Sequence, residues 1–270
     1  MTGSQLPVIE WKWRGEDRAN CMDPFIYSAV HSGDTAIFHV ALNQHPELIG
    51  CLDQVVSPRE DTVLHIAARL NHTQLLEDIL DSFPALYLRL NSKKDNPLHV
   101  AAAAGHLPAV HCLIRERESD QLTVENIELV LKSRNKRGNT ALHEAIQKHN
   151  YEVAELLFTV APELSYSLNS DNVYPLYMAA EAGNEELVEL MLQYIVSIPD
   201  YQNPDGPPKI ALLKEGDSLV HAAIRNRNRG TYSKPVAYIG YFIYISIIYI
   251  YIYINAKSSH KLSFTYICII

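Results

Sequence analysis

Histidine is the residue whose placement in this sequence most invites chemistry. His65, His99 and His143 each follow a leucine, and His221 follows Val220. A neutral imidazole can ligate a metal or act as a general base. His143-Glu144 opens the H-E-x-x-H pattern of a zinc protease, but Gln147 stands where the second histidine ligand is required. The four histidines also hold the same place in four separate segments, so they do not converge on one tetrahedral site. Hydrogen bonding at the junctions between segments is the role expected of them, and neither a metal nor a cofactor is expected.

Other catalytic patterns are missing. Cys21, Cys51, Cys112 and Cys268 are scattered, without the close spacing of a zinc knuckle or a redox pair. Single thiols of this kind suit a reducing compartment, where they pack as small hydrophobes. The sequence has no G-x-S-x-G elbow, no phosphate-cradling G-x-x-x-x-G-K-[ST] and no kinase motif set. The carboxylates of 115–127 and 184–189 read as solvated helix and loop charge, so no enzyme is expected. A net charge of −8 argues against nucleic acid as a partner, because phosphate contacts need clustered Lys and Arg. The first twenty residues contain no unbroken apolar run and therefore no secretory signal, which places the folded part in the cytosol.

The elements that position the histidines are internal repeats. Thr62–Ala68 (TVLHIAA), Asn96–Ala102 (NPLHVAA), Thr140–Ile146 (TALHEAI) and Tyr174–Ala180 (YPLYMAA) align, flanked by the weaker Pro24–Val30 (PFIYSAV) and Ser218–Ile224 (SLVHAAI). The marker leucines Leu64, Leu98, Leu142 and Leu176 are 34, 44 and 34 residues apart. A period near 33 with a T-P-L-H-x-A phrase resembles the ankyrin unit, the long step being one unit with an inserted loop.

Each copy continues alike. Gly33, Asn71, Gly105, Asn150 and Gly183 are expected to break the first helix, since such residues reach the left-handed conformation at low cost. A second helix follows, with apolar residues at three- and four-residue spacing, as in Leu75-Leu76-Ile79-Leu80. Thr62, Asn96, Thr140 and Ser218 stand where a side-chain oxygen can cap a helix, and Pro97 and Pro175 suit its first turn. Paired alanines such as Ala67-Ala68 and Ala101-Ala102 allow close helix packing. The expected fold is an all-α solenoid of helix–turn–helix units with hairpin loops, followed by one hydrophobic C-terminal segment. No unit buries its apolar face alone, so stability comes from stacking.

The stretch Asn135–Leu192 is more specific. Its ALHEA phrase, the APELSYS connector and PLYMAAEAG resemble the plant ankyrin–transmembrane proteins of the accelerated-cell-death type, with similarity from about Asp23 to Arg229. That resemblance implies a signalling adaptor in plant defence or cell-death control, with a cytosolic array preceding several membrane helices. The multi-helix block has no counterpart in this sequence.

Three regions follow: an N-terminal extension (1–22), the array (23–229, about five full repeats and a partial sixth) and a hydrophobic low-complexity tail (230–270). The sixth repeat lacks a second helix after Arg229-Gly230. Residues 236–254 carry no charge and are just long enough for one membrane helix, with Arg225, Arg227, Arg229 and Lys234 before them favouring a cytosolic array. Against that, the Ile-Tyr alternation from Tyr249 to Ile254 has a strand period and is what an AT-dinucleotide repeat would encode. Two readings stay open: a membrane-tethered adaptor, at the plasma membrane, or a soluble cytoplasmic scaffold whose tail is not native protein.

A protein or peptide partner is expected on the concave face of the solenoid. Hairpin tips are expected at Pro58–Asp61, Ser92–Asp95, Asn135–Gly138 and Asn169–Asn172. Among them, Lys93, Lys94, Lys136 and Arg137 make two tips basic and suit an acidic partner. From the first helices, Ile66, Arg69, Val100, Glu144, Lys148, Met178 and Glu181 are expected to face the groove. The insertion Arg115–Ser133 is expected to extend a helix and loop on one side.

Overall fold

Short helices with strong stop signals alternate along the chain. The computed structural model describes residues 22–44, 59–115 and 123–197, together with residues 46, 52 and 57. Residues 1–211 form one unit and residues 212–270 another. The second unit lies outside the described residues, and with it the half-repeat at His221 and the apolar run 236–254.

Five helix pairs make up the described unit. The first helices are Pro24–Ser32, Val63–Leu70, Pro97–Ala104, Ala141–Gln147 and Pro175–Ala182. The second helices are Thr35–Gln44, Thr73–Ser82, Leu107–Ile114, Tyr151–Val160 and Glu185–Ser197. First helices pack on first helices and second on second, giving two layers. At the centre, Leu64, Leu98, Leu142 and Leu176 are at most 1% exposed. Each such burial contributes about 1.5–3 kcal/mol. Ala67, Ala68, Ala101, Ala102, Ala179 and Ala180 are equally hidden, which lets neighbouring first helices approach closely.

Start and stop signals explain why the helices are short. Thr62, Asn96 and Thr140 cap the second, third and fourth first helices in extended conformation, and Pro24, Pro97 and Pro175 begin theirs without losing a hydrogen bond. Gly33, Asn71, Gly105 and Gly183 end their helices in the left-handed region. In the fourth pair the left-handed residue is His149 (φ 60°), whereas Asn150 caps the second helix. The expected breaker was therefore one residue late: counting along the repeat places His149, not Asn150, opposite Gly105.

At Gly33 and Gly105 the absence of a side chain matters twice. Both have φ above +70°, and an added Cβ would sit 2.4 Å from His72 Nδ1 and 2.6 Å from Asn150 Oδ1, respectively. Those groups come from the following repeat. His72 Nε2 lies 3.1 Å from the His31 carbonyl, His106 Nε2 2.9 Å from that of Arg69, and Asn150 Nδ2 donates to Ala103 at 3.1 Å. At the first three junctions a polar side chain thus satisfies a helix-end carbonyl of the preceding unit.

The insertion keeps register. In the second and fourth pairs, a 3₁₀ turn (Pro84–Leu88 and Pro162–Tyr166) joins the second helix to the next hairpin. In the third pair the helix Val124–Lys132, capped by Thr123, arrives there instead. Leu52, Leu86, Val130 and Leu164 all stand five residues before a hairpin and are at most 2% exposed. The extra residues are accommodated upstream of that seat, whose apolar occupant is unchanged. Residues 116–122 of the insertion lie outside the described residues.

Candidate interaction surface

Between successive units the chain makes a hairpin of fixed design. Its first residue is Ser57, Asn91, Asn135 or Asn169, and that residue's amide donates to the carbonyl four residues on, at Asp61, Asp95, Asn139 or Val173 (2.9–3.1 Å). The same residue's side-chain oxygen accepts two further amides. Asn91 Oδ1 takes those of Lys93 (2.9 Å) and Asp95 (3.0 Å), and Asn135 and Asn169 repeat the pattern. The fourth residue of each hairpin, Glu60, Lys94, Gly138 or Asn172, has φ between 54° and 70°. Asparagine is the residue suited to organise such a turn, since its side chain mimics a backbone carbonyl.

The hairpins stack edge to edge. Ser92 N donates to Arg59 O (3.3 Å), Lys136 N to Lys93 O (2.9 Å) and Ser170 N to Arg137 O (2.9 Å). Side chains reinforce this: Asn91 Nδ2 donates to Asp61 Oδ1, Asn135 Nδ2 to Asp95 Oδ1 and Asn169 Nδ2 to Asn139 Oδ1, each at 2.9 Å.

The recurrent histidines tie helices to this row. His65 Nε2 lies 2.9 Å from the Asp95 carbonyl, His99 Nε2 2.9 Å from that of Asn139, and His143 Nε2 3.2 Å from that of Val173. A carbonyl only accepts, so in His65 and His143 Nε2 carries the hydrogen, and Nδ1 is left to accept from Thr62 and Thr140. Asn96 in the third repeat adds a contact that threonine could not reach, donating Nδ2 to the Val130 carbonyl of the inserted helix at 3.0 Å. Burial pulls His65 and His143 down to about 4, which keeps those two rings neutral, and shifts His99 in the same direction. Each ring bonds within its own junction, and among the described residues no group of three or more His, Cys, Asp or Glu could hold a metal.

The residues expected to face a partner divide into two sets. Lys93, Lys94, Lys136 and Arg137 are exposed at the hairpin tips. Lys148 is exposed just beyond the fourth first helix, and Met178 and Glu181 are partly exposed on the fifth. Ile66, Val100 and Glu144 occupy one repeat position and lie inside, at 3%, 7% and 8% exposure. Glu144 Oε1 accepts from Asn135 Nδ2 and Asn139 Nδ2, both at 2.8 Å. Arg69 is half-buried, with Nη2 2.8 Å from the buried carboxylate of Asp61. The loop ladder escaped sequence reasoning, although Asn91, Asn135 and Asn169 recur at the repeat spacing and were a usable signal.

Charge is sorted by position. Arg59, Lys93, Lys94, Lys136 and Arg137 are exposed on three consecutive hairpins, accompanied by Glu60 alone among exposed acids there. The second helices hold Glu77, Asp78, Asp81, Glu152, Glu155, Glu185, Glu186 and Glu189, and no Lys or Arg.

Similarity to known proteins agrees with this architecture. Protein ACCELERATED CELL DEATH 6 of Arabidopsis thaliana is 33% identical over 181 residues, 64% of this chain and 26% of the relative. An ankyrin repeat-containing protein of the same plant is 28% identical over 122 residues, 43% of this chain and 22% of the relative. The chain thus spans about a quarter of the length of these relatives. Among solved structures, the ankyrin repeat domain of Bcl-3 superposes with a TM-score of 0.58 at 22% identity, covering 74% of this chain and 79% of that one, which is a likeness of fold. The family described as ankyrin repeats (3 copies) matches residues 25–123 and 64–166. With two layers of stacked helix pairs, a hairpin row and that match, the chain belongs to the ankyrin-repeat family, whose fold is a protein–protein interaction module.

Proposed function

We propose that this protein is a membrane-associated signalling adaptor of plant defence or cell-death control, which captures a protein or peptide partner on its hairpins and first helices. The observation that carries the binding half is the row of hairpins, held rigid from behind by buried side chains and open at its tips. A surface fixed before binding loses little conformational freedom when a partner arrives. Similarity to ACCELERATED CELL DEATH 6 supports the cellular setting. The apolar run 236–254 supports tethering, with Lys and Arg preceding it on the side of the repeats. No described helix is long and apolar enough to cross a membrane, and 236–254 lies outside the described residues.

Fractionation of native tissue with an antibody to residues 135–192 tests the tethering. A band near 30.5 kDa that stays in membranes through high-salt and alkaline washing is the expected result. A soluble band of that size would replace the tethered adaptor by the second reading, a free cytoplasmic ankyrin scaffold.

A further inference from the structure

From the sorting of charge across the fold, we infer that the hairpin row bearing Arg59, Lys93, Lys94, Lys136 and Arg137 is the docking surface for an acidic, extended protein segment. The inference rests on the interaction-module reading and specifies its partner. The whole chain carries −8, yet these five exposed cations share their three hairpins with one exposed acid, Glu60, and the fourth hairpin adds Asp171. No ion pair joins any of the five to another described residue. The other carboxylates of the same hairpins are engaged elsewhere: Asp61 holds Arg69, and Asp95 accepts from Asn135. The cations are thus left to the solvent.

Geometry specifies the shape of the ligand. Backbone bonds from Ser92 to Arg59 and from Lys136 to Lys93 set three hairpins side by side, so the charges follow one another along the stack. A compact anion could bridge two neighbouring tips, such as Lys93 and Lys136, whereas an extended chain with repeated carboxylates meets all three. Lys94, at the position held by Glu60, Gly138 and Asn172 in the sister hairpins, carries its charge to the middle hairpin of the three.

Extended polyanionic surfaces fit less well. The second helices are purely acidic among their Lys, Arg, Asp and Glu, so a lipid sheet or a nucleic acid wrapping the repeats would meet repulsion from them, screened over about 8 Å. A short segment confined to the row avoids it.

The test uses the full chain, in detergent if it requires one, and a fluorescent ten-residue peptide alternating Glu and Ser, with a Gln–Ser control. The Glu peptide should bind and the control should not, with affinity falling at least tenfold between 50 and 200 mM salt. Lys93→Gln/Lys136→Gln/Arg137→Gln should weaken binding tenfold or more with an unchanged melting curve. Failure of the Glu peptide to bind, or equal binding by the triple variant, overturns the inference. So does stronger binding to phosphatidylserine vesicles or to single-stranded DNA, or salt-sensitive self-association that the triple variant abolishes. If native partners are instead captured through Met178 and Glu181 and ignore the triple substitution, the interaction module stands and this inference alone fails.

Discussion

Asn135 Nδ2 donates to Glu144 Oε1 at 2.8 Å, and the bond joins a first helix to the hairpin that precedes it. The same carboxylate oxygen takes the amide of Asn139, so two donors converge on one buried acceptor. Glu144 is therefore a strut beneath the hairpin row and holds the base on which Lys136 and Arg137 project. Replacing it by Leu should strand the Asn139 side-chain amide and one N–H of Asn135, which keeps its bond to Asp95, and lower stability by about 2–4 kcal/mol. Gln keeps an oxygen in place and should cost about 1 kcal/mol or less. Urea unfolding of the two variants checks the difference.

The junction histidines predict a second set of losses. His143→Ala removes a bond to the Val173 carbonyl and the acceptor for Thr140, and opens a cavity at a fully buried site. A loss of about 2–4 kcal/mol is expected, with His65→Ala similar. Thermal melts of each variant supply the measurement.

Acid should unfold the array early. His65 and His143 titrate near 4 in the folded protein against an ordinary value of 6.5, and His99 is shifted the same way. Between those values the unfolded chain binds more protons, so its population grows as pH falls. The stability held by the neutral rings is whole above about 6.5, declines toward 4, and changes no further below that. Each ring contributes a slope of up to about 1.4 kcal/mol per pH unit. Urea midpoints at pH 7, 5.5 and 4.5 should fall in that order, less steeply in a His143→Ala background.

Gly105→Ala should destabilise by about 1–2 kcal/mol through its φ of 78° and the clash with Asn150. Adding Asn150→Ala removes the clash but leaves the strained backbone, and it frees the Ala103 carbonyl. The double variant should stay below wild type in chemical denaturation.

Lys94→Gly is expected to move stability and binding in opposite directions. Release of the left-handed strain should raise stability by about 0.5–1 kcal/mol, while the loss of a central charge weakens capture of an acidic peptide. Parallel melting and titration of this variant measure both.

Legibility followed the strength of local signals. The helix pairs could be read because leucine, alanine pairs and capping residues recur at a fixed spacing. The junction role of the histidines could be read too, since only a shared structural task explains one residue type at one repeat position. What Glu144 does was hidden, because its bonding depends on Asn135 and Asn139 folding back above it. Arg69 was obscured likewise by Asp61, eight residues earlier, in a hairpin whose fold the sequence leaves implicit. His149 hid behind Asn150, a residue with the greater left-handed preference standing one place along.

The most direct measurement concerns which layer meets the partner. The full chain, carrying a photoreactive amino acid in place of Lys136 or Met178 on the hairpin and first-helix layer, or of Glu77 or Glu152 on the second helices, would be expressed in its native tissue and illuminated. Cross-linked protein partners are predicted from the first pair of sites and not from the second. Partners recovered only from Glu77 and Glu152 would contradict the account.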